Sequence, residues 1–167
     1  ERGAPIPLAV RGEVRLYPAA VTRRAFVLDP EGRHHWWPIA PAARIEVDLD
    51  KPARRWEGIG YFDTNHGAAP LEADFVRWDW SRAHVDGDAV IIYDATFRRS
   101  HGEPLALFCG RDGTVEDVPP PPRAELPTTG WRVARGTRDT EPAQVAVRRT
   151  FEDTPFYARS LLTTTWR

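Results

Sequence analysis

Two pairs of side chains in this sequence could run proton chemistry. His34 and Trp36 stand two residues apart, and so do Tyr61 and Asp63. In an extended strand alternate side chains share a face, so each pair would present both members to one side. An acid, an imidazole and a phenol brought together can give and take protons. A carboxyl kept dry among aromatic rings holds its proton near neutral pH. The faces of Trp36 and Tyr61 could steady a developing carbocation through the ring quadrupole. Asn65 continues the row of Tyr61 and Asp63, while Gly58, Gly60 and Phe62 point the other way. Trp78 and Trp80 share a face further on, where core packing suits them as well as a pocket wall does. Asn65, Phe62, Trp78 and Trp80 are the candidates for lining a ligand pocket. A purely local reading competes: Asp63 and Asn65 form Asx-turns ahead of Gly67, and His34 is a hydrogen-bonded surface residue.

Other chemistries find weaker support. His34, His35, Asp63 and His66 form a conceivable metal set, but neighbouring strand residues face opposite ways, and HExxH and paired cysteines are missing. No metal is therefore assigned. Asp63 with Glu72 or Asp79 could make a glycosidase-like carboxylate pair, yet acids are plentiful and the pairing is not specific. There is no G-x-S-x-G elbow. Gly58-Ile59-Gly60 lacks the third glycine and the following helix of a dinucleotide site. Cys109, the single cysteine, lies in an apolar run. It reads as a small buried residue in a reducing compartment.

Composition bounds the rest. The chain has 167 residues, 41% hydrophobic and 28% charged, with a net charge of -1. That describes a globular domain with no electrostatic reason to bind nucleic acid. Its cations are nearly all arginine and scattered, and no run approaches the ~20 apolar residues of a membrane span. With no methionine anywhere, the chain is expected to be part of a longer protein.

The positioning elements read as strands. Sixteen prolines, twelve glycines and short apolar runs argue against long helices. Strands are expected at 12–18, 25–29, 43–49, 53–64, 73–82, 88–98, 104–109, 130–135, 145–151 and 156–166. Pro38 and Pro41 limit the HHWWPIAP stretch to an edge or a bend. In 43–49, Ile45, Val47 and Leu49 take the buried side, and this strand is expected between the two chemical pairs. Residues 65–72 read as a loop, with one short helix around 70–76. Residues 118–127, with four consecutive prolines, are a stiff connector. The pattern is that of an all-β antiparallel sandwich or barrel.

Residues 57–82 also resemble a known signature. The run Gly58, Gly60, Tyr61, Asp63, Asn65, Gly67, Pro70, Leu71, Glu72, Phe75, Trp78, Trp80, Ser81, Arg82, Ala83 is similar to that of the carotenoid 1,2-hydratases (hydroxyneurosporene synthases). The upstream GRHHWWPIAP and the late FEDTPFYARSLL are similar to the same family. The resemblance implies a lipocalin-like β domain, the C-terminal one of two, with a pocket between them. Residues 1–40 would be linker and edge strands leading from an N-terminal domain, and 41–167 the lipocalin-like domain, cut at its C-terminus. It implies addition of water across the terminal C1–C2 double bond of acyclic carotenoids such as neurosporene and lycopene, without an organic cofactor. It also implies a cytoplasmic protein at the periphery of the inner membrane of photosynthetic bacteria. The family's essential histidine, tryptophan, tyrosine and aspartate fall on His34, Trp36, Tyr61 and Asp63. The expected roles are Asp63 as acid toward C2, Trp36 and Tyr61 against the cation at C1, and His34 as base for the attacking water, with the acid and base roles interchangeable. A non-catalytic isoprenoid-binding lipocalin and a pericyclase-type enzyme on the same scaffold remain as alternatives.

Overall fold

A computed structural model describes residues 2–3 and 8–166. Its elements are β1 (Arg2–Gly3), β2 (Leu8–Ala9), β3 (Arg11–Pro18), β4 (Phe26–Val27), β5 (His34–Lys51), β6 (Ala53–Gly67), α1 (Leu71–Asp74), β7 (Phe75–Val85), β8 (Asp88–Phe97), β9 (Leu105–Cys109), β10 (Val115–Asp117), β11 (Arg123–Leu126), β12 (Arg135–Arg138), a 3-10 turn (Pro142–Gln144), β13 (Ala146–Asp153) and β14 (Ala158–Thr163). The fold is all-β and antiparallel, as composition and alternation predict. The described strands form separate sheets and hairpins and do not close into a barrel.

One sheet is built on β5. Its whole length pairs with β6 on one edge. On the other edge β3 takes the 43–51 half and β4 pairs with His35 and Trp36. Between them the 19–22 segment donates from Ala19 N to Ala42 O, from Thr22 N to Ile39 O and from Thr22 Oγ1 to Pro38 O. Residues 34–51 are thus one strand, and the expected separate strand 43–49 is its second half. β5 and β6 are immediate neighbours, with nothing between the two chemical pairs. The prolines do not end β5. Its pairing with β6 slips between Trp37 and Ala40 and again between Ala40 and Ala43, and such bulges are where a proline without an N–H fits inside a sheet.

The second sheet runs β10-β9-β8-β7. β8 is a near-continuous apolar strand because both its faces are covered. Ala89, Ile91 and Tyr93 join Phe26, Trp36, Leu107 and Cys109 in the core between the two sheets. On its other face, Asp94 meets Arg123 and Arg138 of the β11–β12 hairpin, and Asp79 of β7 meets Arg123 as well. Burial pushes the Cys109 thiol up to about 11, which leaves it a packing residue.

Three further expectations shift. β6 extends to Gly67, so the loop before α1 is shorter than 65–72. Residues 130–135 are not a strand: Arg132 N bonds Thr129 O and Thr129 N bonds Val133 O, a turn with Arg132 at φ 60°. β12 begins where that turn ends. Finally, Val47 is buried but Ile45 and Leu49 only half so, and Val14 and Trp56, level with Val47 in the register, are exposed. No helix among the described residues is long and apolar enough to cross a membrane.

Candidate active site

The site grows from the inward row of the β5–β6 hairpin. Trp36 lies opposite Asn65, and His34 opposite Gly67. Parity holds for β5: His34 and Trp36 are buried, while His35 and Trp37 are half-buried. Trp36 is fully enclosed, its ring packed between Phe26 and Tyr93 at centroid distances of 5.6 and 5.2 Å. Its Nε1 donates to Asp63 Oδ2 at 2.8 Å, and the Tyr61 hydroxyl donates to the same oxygen at 2.9 Å. Both acceptor positions of Oδ2 are thus occupied. Asp63 Oδ1 has no hydrogen bond among the described residues, and the side chain is half-buried. Burial, then the charge of Asp63 and the hydrogen bond to it, raise the Tyr61 pKa far above the ordinary phenol value. Tyr61 therefore acts as a hydrogen-bond donor and not as a phenolate.

β7 and β8 complete an aromatic surround. Trp80 lies 5.0 Å from the Tyr61 ring and is 37% exposed. Trp80 pairs across the ladder with Tyr93, whose phenol is pushed up to about 12, first by burial and then by the charge of Asp63. A carboxyl with one oxygen held by two donors and the other free can deliver a proton to a ligand beside it. The accessible face of Trp80 suits a cationic centre there.

His34 belongs to a second cluster. Its Nε2 lies 2.7 Å from Asp74 Oδ2, at the end of α1, and its ring meets Phe75 edge-on at 4.9 Å. Arg33 Nη2 bonds the other Asp74 oxygen at 2.5 Å. Asp29 accepts from the His34 and Arg33 backbone N–H groups. Burial pushes the Asp29 carboxyl up, but those donors outweigh it and hold it below the ordinary value. His34 is 3% exposed. Along the strands it stands two inward positions beyond the level of Asp63, roughly 13 Å at about 3.3 Å per residue. No hydrogen bond joins His34 to Asp63 among the described residues, and each has its own partners.

The other named residues separate. Asn65 is exposed and makes no side-chain hydrogen bond among the described residues, and Phe62 is 51% exposed on the outer face, away from Asp63. Trp78 packs edge-on against Phe75 at 5.9 Å. His35 and His66 stack across the ladder at 4.9 Å on the face opposite His34. Among the described residues no three His, Cys, Asp or Glu side chains gather around a metal position. Asp79 is engaged by Arg123 and Gly136 N on the face away from Trp80, so it is not a partner carboxylate for Asp63. Sequence reasoning missed Asp74 and Tyr93. The short helix expected near 70–76 was the only hint of where Asp74 would be anchored.

Gly67 permits the close approach of the two strands at His34. A Cβ there would meet Arg33 O at 2.5 Å and His34 Nδ1 at 3.0 Å. Gly67→Ala is expected to lower the melting temperature by several degrees, in line with ~1–3 kcal/mol for overpacking. Thermal unfolding monitored by circular dichroism checks it.

A family model described as "Carotenoid hydratase CrtC" matches residues 1–167. Among curated proteins, an acyclic carotenoid 1,2-hydratase of Thiocapsa roseopersicina is 56% identical over 162 residues, covering 96% of this chain and 40% of that protein. One of Rubrivivax gelatinosus is 48% identical, covering 97% and 40%. One of Cereibacter sphaeroides is 42% identical, covering 96% and 57%. The chain thus spans about two fifths to three fifths of these relatives. No solved structure matches it. With the match running through every residue that holds Asp63 and His34 in place, the chain belongs to the carotenoid hydratase CrtC family.

Proposed function

We propose that the protein containing this chain adds water across the terminal C1–C2 double bond of an acyclic carotenoid such as neurosporene or lycopene. Family membership and the names of the relatives support the reaction class. The observation that carries the residue assignment is Asp63, with Oδ2 occupied by Trp36 and Tyr61 and Oδ1 open. Hydrating an isolated alkene asks for an acid, a water molecule and a dry wall, and for no organic cofactor.

In this reaction the proton is delivered from Asp63 Oδ1, since Oδ2 already accepts two hydrogen bonds. The alkene π pair takes this proton at C2, and a tertiary cation forms at C1. Trp80 offers the reachable ring face against it. Trp36 is enclosed on both faces, so its part is to aim and polarise Asp63 through Nε1–H. Water adds to C1, and the oxonium proton returns to the Asp63 carboxylate, restoring the acid. Tyr61 holds Oδ2 throughout. His34, buried and bonded to Asp74, orients the start of β5 two residues before Trp36, and the water's proton goes to Asp63 instead of to His34.

The chain serves here as the C-terminal part of a two-domain protein, with the remaining polypeptide closing the cavity over Asp63. Such a polyene dissolves in lipid, so this reading puts the protein in the cytoplasm at the membrane periphery. The test is incubation of the full-length protein with lycopene, followed by mass spectrometry. The expected product is heavier by one water. Retention of unchanged lycopene would favour a binding protein, and a product of unchanged mass a pericyclase-type enzyme; either result sinks the hydratase reading.

A further inference from the structure

Arg82 of β7 is half-buried, yet it pairs with no carboxylate among the described residues. Of the other half-buried arginines, Arg33, Arg77, Arg123 and Arg138 have acid partners, while Arg135 bonds a carbonyl and two hydroxyls. A guanidinium withdrawn from water without a counter-charge is costly, so what it touches is informative. Its Nη1 donates to Gly60 O at 3.2 Å and to Pro41 O at 3.4 Å. These carbonyls flank the slip in pairing between Ala40↔Phe62 and Ala43↔Gly60. The same Nη1 lies 2.8 Å from His84 Nε2. Burial and the neighbouring Arg82 charge lower the His84 pKa, which keeps that ring a neutral acceptor. Arg82 thereby fixes the backbone of β6 immediately before Tyr61.

Its charge has a second target. The Arg82 Cζ stands 5.0 Å from the Tyr61 ring centroid. The groups around Tyr61 are Asp63 on its own strand, Trp80 and Arg82 on β7 with His84 behind Arg82, Trp36 through the shared bond to Asp63, and Tyr93 in the core cluster that Tyr61 packs against. Arg82 is the one cation among them. A positive charge against a phenol ring draws electron density from the hydroxyl and strengthens it as a donor. It also makes Tyr61 a poor surface for a carbocation, which leaves that part to Trp80.

We infer that Arg82 is a positioning residue that fixes Tyr61 and sets the strength of its hydrogen bond to Asp63. The kinetic consequence rests on the hydratase reading; the effect on Tyr61 does not. The test compares Arg82→Gln, which keeps a donor for the carbonyls but loses the charge, with Arg82→Lys, which keeps the charge, both in the full-length protein. Hydration of lycopene should fall roughly tenfold in kcat for Arg82→Gln, between the exposed and the desolvated limits of a cation–π contact. KM should stay within about twofold, the alkaline limb of the pH profile should move, and Arg82→Lys should recover most of the rate. Independently of turnover, the 13Cζ resonance of labelled Tyr61 should shift in Arg82→Gln and stay near wild type in Arg82→Lys. Equal losses in both variants with an unmoved Tyr61 resonance would reduce Arg82 to a backbone clamp and overturn the inference. A wild-type protein that adds no water to lycopene sinks the hydratase reading and leaves the resonance test standing.

Discussion

Asp63→Asn is expected to abolish water addition while leaving the fold intact. The amide has nearly the same shape, and its oxygen can still accept from Trp36 Nε1 and the Tyr61 hydroxyl. Its nitrogen would then take the open position of Oδ1, where it holds no transferable proton. General acid–base catalysis by one side chain contributes about 10²–10⁴-fold, and here one group serves both halves of the reaction. A loss of at least ~10³ in kcat follows, with the melting temperature within a few degrees of wild type. The check is product formation from lycopene by the full-length variant beside its thermal unfolding curve. Hydration near the wild-type rate would remove Asp63 from the mechanism.

Asp74→Ala should act through stability first. Asp74 is 7% exposed and is the shared acceptor of His34 Nε2 and Arg33 Nη2. Arg33 Nε makes no hydrogen bond and its other ion pair, to Asp29, is long at 3.9 Å, so the truncation leaves a weakly compensated guanidinium and strands a buried imidazole. Breaking a buried pair by removing one side costs about 3–5 kcal/mol, and the partial exposure of Arg33 favours the lower end. For a chain of this size ~3 kcal/mol corresponds to a fall of roughly 6–12 °C in melting temperature. Asp74→Asn, which can still accept from His34, should lose about half as much. Scanning calorimetry of both variants checks the order; an unchanged melting point in Asp74→Ala would mean that the cluster does not hold β5 against β7.

Much of this arrangement was legible in the residues. Alternation put His34 with Trp36 and Tyr61 with Asp63, and the burial of β5 follows that alternation. The apolar run 88–98 announced a strand, and the structure covers both its faces. The level of each residue along its strand was not legible, because alternation assigns a face and only register assigns a position. Hence His34 and Asp63 appeared as partners, although roughly 13 Å of strand separates them. Register in turn depended on Pro38 and Pro41, which read as an edge or a bend and lie at bulges inside one strand. Asp74 left no local mark, since a single aspartate in a one-turn helix gains its meaning only from what packs over it. The exposure of Phe62 and Asn65 shows the same limit: a residue can sit in the expected row or strand without being enclosed.

The single open oxygen of Asp63 carries a stereochemical consequence. If the proton leaves from Oδ1 and the water's proton returns to Oδ1, hydrogen and hydroxyl must reach the double bond from one side. The addition is then syn, and a product formed in heavy water carries its deuterium at C2 in one configuration. Two hydrogen bonds that block Oδ2 thereby choose a face of the alkene as well as an acid.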